Sequence, residues 1–377
     1  IIKLLIRQGA RPAQPGEFTK RAFLNGQYDL AQAEAVADLI ASDSEAAHQA
    51  AMNQMRGGFS AEIKQLREKL VHFASLIELE LDFGEEDVEF ANRNELKSLV
   101  NELQNVIQPL IDSFDLGNVI KDGVPIVIAG KTNVGKSTLL NALLNEEKAI
   151  VSEIPGTTRD YIEDRINIDG VSFRFTDTAG LRKAKDKIEA IGVERTHQKM
   201  SQASLIVYIF DVNETSPENL KEEFKKLNTN NIPYLIAGNK IDKYSKTLSD
   251  FKKLVMSATV NNQKEDNEDT PLPYDIIFIS ALKNQNIDKL KKKLLEMVNA
   301  KTIKTANTVV TNVRHYDSLV QTRDALNKVL DGIKTGKTGD IIALDIRNGL
   351  HYLGEITGEI TTEDLLENIF SKFCIGK

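Results

Sequence analysis

Eight consecutive residues constrain the fold most. Gly130-Lys131-Thr132-Asn133-Val134-Gly135-Lys136-Ser137 fits G-x-x-x-x-G-K-[ST], the phosphate-binding loop. Pro125 to Ala129, just before it, is a short apolar run of buried-strand type, and Thr138 to Leu144 after it reads as the start of a helix. Strand, glycine loop and helix together aim backbone N–H groups and a helix N-terminus at phosphate oxygens. Asn133, Val134, Gly135, Lys136, Ser137 and Thr138 are therefore candidate nucleotide contacts. Lys136 reaches the β- and γ-phosphates, and the Ser137 hydroxyl serves Mg²⁺.

The texture around the loop changes twice. From Asp122-Gly123 onward, strand-like runs (PIVIA, VSFRFTD, LIVYIFD, YLIAGNK, IIFIS) alternate with helical ones, which implies a mostly parallel sheet covered by helices. The polar run Asn261 to Thr270 reads as a solvated loop before the last strand. Before this block the pattern is helical. Asp29 and Gln32 have capping-box spacing, with Leu30, Ala33, Ala37 and Ile40 at helical intervals, and Ser42 with Glu45 repeats the signal. Gly57-Gly58 interrupts a longer helix that resumes through Ile63, Leu66, Leu70 and Phe73; Glu95 to Phe114 forms another, with Pro109 inside it as a possible kink. After Ala300 the helical pattern returns: Val313, Tyr316, Leu319 and Val320 share a face, Ile341, Leu344, Ile346 and Leu350 share another, and Thr361 with Asp364 caps Leu365 to Phe370. The expected organisation is a linker over 1–22, helical parts over 23–120 and 301–377, and an inserted α/β domain over 121–300.

Further motifs choose the nucleotide. Asp177-Thr178-Ala179-Gly180 closes a strand forty residues after the phosphate loop, where an Asp helps hold Mg²⁺ and the Gly N–H feels the γ-phosphate. Asn239-Lys240-Ile241-Asp242 follows another strand. A carboxylate there accepts from N1–H and the exocyclic amine of guanine, a donor pair adenine lacks. Ser280-Ala281-Leu282 follows IIFIS and offers a backbone N–H to the guanine carbonyl. Within Gly156-Thr157-Thr158-Arg159-Asp160, Thr158 is the threonine chosen to complete the Mg²⁺ shell. The ligand is GTP, and the α/β block is a Ras-like P-loop GTPase domain inserted into a discontinuous all-α domain. Leu181 occupies the position where many GTPases carry a water-orienting glutamine. Glu189 is a candidate replacement, level on the residues alone with a solvated surface carboxylate.

The chain has 377 residues, enough for two or three domains. A net charge of −7 argues against a generally basic surface, although a local basic patch stays open. One cysteine rules out a disulfide framework and suits a reducing cytosol, so a cytoplasmic location is expected. No apolar run approaches membrane-spanning length. The start at Ile1, without methionine, suggests a fragment lacking an N-terminal piece.

The order GKTNVGKS, GTTRD, DTAGLR, NKID, between helical flanks, with RAFLNGQYDLAQAEA early and FCIGK at the end, closely resembles the bacterial and organellar tRNA-modification GTPases of the MnmE (TrmE) family. The resemblance covers nearly the whole chain. It implies a folate-binding N-terminal domain, of which residues 1–22 are a remnant, that mediates homodimerisation, together with a helical domain and an inserted G domain. It implies a reaction, run with the flavoprotein MnmG, that adds a (carboxymethyl)aminomethyl-type group at C5 of the wobble uridine of tRNA. The one-carbon unit comes from a tetrahydrofolate of the 5-formyl type. It also implies a K⁺-stimulated GTPase. Asn133 matches the potassium ligand, with backbone carbonyls of Ser152 and Ile154 and with Thr157 completing the shell. The nucleotide-binding segment then spans Ser152, Glu153, Ile154, Pro155, Gly156, Thr157 and Thr158. Glu189 matches the glutamate that orients the attacking water. Cys374 matches a cysteine required for modification; on the residues alone, a buried small apolar role stands against that. Lys377 matches a folate contact, and Gln27 replaces a folate-contacting lysine. The competing reading is a regulatory GTP switch of Era or Der type in ribosome assembly. The FCIGK tail favours the modifying enzyme.

Overall fold

The computed structural model describes residues 2–82, 92–145, 164–175, 204–216, 219–220, 223, 232–244, 251, 276–298, 309–371 and 373. The chain forms two compact units, one from Ile1–Lys121 with Thr305–Lys377 and one from Asp122–Lys304. The α/β part is thus inserted into a helical unit made from both ends of the chain.

The helical unit begins with α1 (Ile2–Arg7), α2 (Glu17–Leu24), α3 (Leu30–Ala41) and α4 (Glu45–Met55). Asp29 and Gln32 form the expected capping box, with Gln32 N–H donating to Asp29 Oδ1 at 2.8 Å and Asp29 N–H to Gln32 Oε1 at 3.0 Å. The next cap differs from expectation. Ser44, not Ser42, accepts the Ala47 N–H, while Ser42 ends α3 and donates its hydroxyl to the Leu39 carbonyl. Both serines are extended, so the chain leaves one helix at Ser42 before entering the next after Ser44.

Gly57, at φ +84, makes the break before α5 (Gly58–Asp82). Next come α6 (Arg93–Asp112), capped by Asn92, and α7 (Phe114–Asp122). Pro109 falls inside α6, whose last residue is Asp112, so Phe114 opens α7 rather than closing α6. The second half supplies α10 (Val313–Thr335), α11 (Gly339–Thr357) and α12 (Glu363–Phe370). Leu66, Leu70 and Ile77 of α5, Val100, Leu103 and Ile107 of α6, Leu319 and Leu326 of α10, and Ile346 and Leu353 of α11 share one core. Two expectations shift here. On α11, Ile341 and Leu344 are exposed, and the buried row is Ile342, Ile346, Gly349, Leu353 and Ile356. Only that row keeps the 3–4 spacing along the whole helix. On α12 the cap is Thr362, accepting from Leu365 N–H at 3.3 Å, rather than Thr361.

A hydrogen bond and a ring stack are among the contacts that stitch the halves of this unit together. Val310 N–H donates to Ser113 Oγ at 3.0 Å, and Phe114 stacks on Tyr316 with centroids 4.4 Å apart.

Among the described residues the inserted unit carries a six-stranded sheet in the order β2-β3-β1-β4-β5-β6. Its strands are β1 (Val124–Ala129), β2 (Asp164–Ile168), β3 (Val171–Phe175), β4 (Leu205–Asp211), β5 (Tyr234–Asn239) and β6 (Ile276–Phe278). Every pairing is parallel except β2 with β3, a hairpin turned at Asp169-Gly170, both at positive φ. β4 is buried along its whole length, as a strand covered on both faces must be. Helix α8 (Lys136–Asn145) follows β1, and α9 (Ile287–Met297) follows β6. No helix among the described residues is long and apolar enough to cross a membrane.

Candidate guanine-nucleotide site

The parallel strands present their carboxyl ends along one edge, where ligands of open α/β sheets bind. β1 feeds the phosphate loop into α8, and β4, β5 and β6 end beside it.

Loop geometry depends on glycine at two points. A β-carbon on Gly130, at φ +151, would stand 2.1 Å from the Ile209 carbonyl oxygen; one on Gly135, at φ +102, would stand 2.3 Å from Asn239 Nδ2. Asn133 takes φ +61 and lies exposed between them, and Val134 is buried. Lys136 Nζ donates to the Gly130 and Lys131 carbonyls, each at 2.7 Å, which curls the loop around the ammonium. Burial pushes the Lys136 pKa down. Ser137 and Thr138 sit half-buried in the first turn of α8.

Asn239 is 3% exposed and uses both ends of its amide. Nδ2 donates to the Val134 carbonyl at 2.8 Å, and Oδ1 accepts from Ala281 N–H at 3.0 Å. One side chain thus ties the phosphate loop to both loops expected around guanine. Lys240 holds φ +66, and Ile241 and Asp242 form the short 3₁₀ turn after it. Asp242 Oδ1 accepts from Ser280 Oγ at 2.6 Å. Ser280 is fully buried and bridges to Gln285 in both directions, which fixes the turn carrying Ala281 and the exposed Leu282. The Asp242 carboxylate is therefore oriented by its serine.

Asn133 to Thr138, Asn239 to Asp242 and Ser280 to Leu282 accordingly meet at one sheet edge. Ser152, Glu153, Ile154, Pro155, Gly156, Thr157, Thr158, Asp177, Thr178, Ala179, Gly180, Glu189, Cys374 and Lys377 lie outside the described residues. Gln27 is exposed after α2, in the helical unit. Asp211 and Asn213 were not anticipated. Asp211 takes Lys240 Nζ at 2.6 Å, and Asn213 Nδ2 reaches the Lys240 carbonyl at 3.2 Å. The available signal was an acidic residue closing an all-apolar strand, LIVYIFD, one strand away from NKID.

Among the described residues no cluster of three or more His, Cys, Asp or Glu side chains is arranged to hold a metal. The Ser137 hydroxyl, half-buried in the first turn of α8, is an oxygen donor of the kind Mg²⁺ takes, since protein commonly binds that ion through one or two oxygens.

A mostly parallel sheet with this phosphate loop after β1 and an N-K-x-D loop after β5 defines a P-loop guanine-nucleotide-binding domain. A family model described as the MnmE helical domain matches residues 30–374, and one described as the GTP-binding protein TrmE N-terminus matches residues 1–27. A tRNA modification GTPase MnmE of Cytophaga hutchinsonii is 58% identical over 377 residues, covering 100% of this chain and 78% of the relative. One of Christiangramia forsetii is 52% identical, covering 100% and 79%. An Aquifex aeolicus Era structure is 26% identical over 53% of this chain and 66% of that chain, at a TM-score of 0.33. The chain belongs to the MnmE family of tRNA modification GTPases.

Proposed function

We propose that this chain is the GTP-hydrolysing subunit of a K⁺-stimulated wobble-uridine modification enzyme of the cytoplasm. It works as a homodimer with the flavoprotein MnmG, which together install a (carboxymethyl)aminomethyl-type group at C5. One observation in the helical unit carries the modification reading over a plain switch. Phe23 of the RAFLN segment and Leu30 of DLAQAEA share an apolar cluster with Phe370 and Phe373, the residue before Cys374. Residues of the early stretch thus share one cluster with Phe373, the first residue of FCIGK. Gln27 lies exposed in the turn between Phe23 and Leu30.

In the G domain, Lys136 supplies positive charge to the terminal phosphates, and the glycine-shaped loop supplies N–H groups. Asp242 reads the guanine edge. Glu189 orients the attacking water, replacing the glutamine that Leu181 displaces. Ser137 and Thr158 would hold Mg²⁺; Asn133, Thr157 and the Ser152 and Ile154 carbonyls would hold K⁺. These hard oxygen donors suit both ions, whose bound charge offsets that on the phosphates in transfer. Gln27 and Lys377 would hold the folate, which supplies the one-carbon unit when bound. Cys374, which follows Phe373 in the chain, would be the reactive thiol of the tail.

The test is nucleoside mass spectrometry of tRNA from cells lacking the full-length protein, complemented with wild type or with Cys374→Ser. The C5-modified wobble uridine should return with wild type only. Normal modification without the protein would leave a GTP switch of another kind.

A further inference from the structure

Asp211 ends β4 and lies opposite Asn239 in the parallel β4–β5 register. That register sets a carboxylate beside the first two residues of the guanine loop. The Asp211 side chain is 4% exposed and takes Lys240 Nζ at 2.6 Å. It is itself held: Asn213 donates its backbone N–H at 2.9 Å and its Nδ2 at 3.0 Å to Asp211 Oδ1. The same Nδ2 donates to the Lys240 carbonyl at 3.2 Å. Both ends of Lys240, ammonium and carbonyl, are therefore fastened to the end of β4. Between them the lysine backbone sits in the left-handed region, uncommon for a residue with a side chain.

This fastening is more than a tie between strand ends. A lysine at such a place, left alone, directs its ammonium to water and samples many rotamers. Held at both ends, its four methylenes become a fixed apolar stem two residues before Asp242, whose carboxylate is fixed in turn by Ser280. A guanine whose edge meets Asp242 must lay a face along the Asn239–Asp242 segment, and the Lys240 stem is the apolar wall that segment offers.

We propose that Asp211, fixed by Asn213, is a positioning residue for the guanine base that acts through the Lys240 stem. The inference rests on the guanine-nucleotide site described above and extends it to residues outside the loop motifs. Because Asp211 acts only through Lys240, removing either partner should make the other nearly silent.

The test uses the full chain and two readouts: dissociation of a fluorescent GDP analogue, and steady-state GTP hydrolysis. Asp211→Asn should speed dissociation about tenfold and raise KM similarly, with kcat changed by less than about twofold. Lys240→Met should weaken binding as well. The double variant should bind no worse than Lys240→Met alone, since Met leaves a buried carboxylate unpaired that Asn relieves. Wild-type dissociation and KM in Asp211→Asn, or multiplying effects in the double variant, overturns the proposal. A lowered melting temperature with unchanged dissociation and KM also overturns it, because the pair would then serve the sheet alone. Should Asp211→Asn not fold, Asn213→Ala loosens the same fastening; faster dissociation supports the proposal and wild-type behaviour overturns it. Wild type that fails to retain the GDP analogue overturns the guanine site and this inference with it, whereas retention by wild type isolates the inference.

Discussion

Gly135 of the phosphate loop and Asn239 of the guanine loop occupy the same space, in that a β-carbon on the glycine would lie 2.3 Å from the asparagine Nδ2. The amide fills the volume a side chain would need and from there reaches the Val134 carbonyl at 2.8 Å. Gly135→Ala must therefore displace Asn239 and also strain a backbone at φ +102. Strain of that kind costs about 1–3 kcal/mol. Affinity for GDP should fall at least about tenfold by calorimetry, while the circular dichroism of the chain stays near wild type.

Asp242 gives a sharper test, because its role is chemical rather than steric. In the function proposed above, its carboxylate accepts from two guanine donors. Asp242→Asn substitutes an N–H₂ for one acceptor and sets donor against donor. Xanthine carries a carbonyl where guanine carries the amine, so the variant should lose roughly a hundredfold or more in GDP affinity and gain xanthosine diphosphate binding. Competition binding with the two nucleotides measures both changes. A parallel loss of both would mean that the loop had collapsed.

Much of this site was legible because its motifs are local. GKTNVGKS, NKID and the SAL turn each follow a strand that is apolar throughout, and the parallel order brings them to one edge. The partnerships between motifs were not legible. Nothing in NKID states that Asn239 braces Val134 and Ala281, or that Asp211 meets Lys240, because those contacts arise from strand register. β2 escaped notice for a different reason. Arg165-Ile166-Asn167-Ile168 alternates, and Asp169-Gly170 is a hairpin signal, but the run is short and polar beside its neighbours. On α11, crowding of apolar residues obscured the periodicity. Ile341, Ile342, Leu344 and Ile346 offer two competing faces, and only packing against α5 and α10 chooses between them.

The helical unit depends on a glycine contact. Gly117 of α7 faces the returning chain so closely that a β-carbon there would stand 2.0 Å from the Val310 carbonyl oxygen. That obstacle is backbone and cannot rotate away. Gly117→Ala should separate α7 from the 310–311 segment and destabilise the unit by about 1–3 kcal/mol. A control Gly26→Ala faces nothing within 4 Å, though its φ is +67. Thermal unfolding should show a larger loss at Gly117. Equal losses would mean that backbone conformation, rather than the contact, sets the cost.

A buried charge cluster sets the pH response of the same unit. Glu34 of α3 accepts from Arg314 Nη2 at 2.7 Å and from His315 Nε2 at 2.8 Å, and Arg314 also donates to the Glu355 and Ile356 carbonyls near the end of α11. Burial alone would raise the Glu34 pKa, but hydrogen bonds from His315 and Arg314 outweigh it and hold the carboxyl at about 2, against its ordinary 4.5. His315 is fully enclosed against Phe59, and burial outweighs its glutamate partner to push its pKa below the ordinary 6.5. The imidazole is therefore neutral and donates Nε2–H to an ionised Glu34. In both groups the unfolded chain binds the proton more readily, so stability rises with pH across each window. The His315 contribution is complete above 6.5 and declines as pH falls below it; the Glu34 contribution is complete above 4.5 and is lost toward 2. Melting temperature measured from pH 8 to pH 4 should therefore begin to fall near 6.5 in wild type. His315→Gln keeps a donor for Glu34 and removes the titration, so its decline should begin only near 4.5. Glu34→Ala strands Arg314 without its carboxylate and should cost about 3–5 kcal/mol at neutral pH. A His315→Gln profile that still turns near 6.5 would place the titrating group elsewhere.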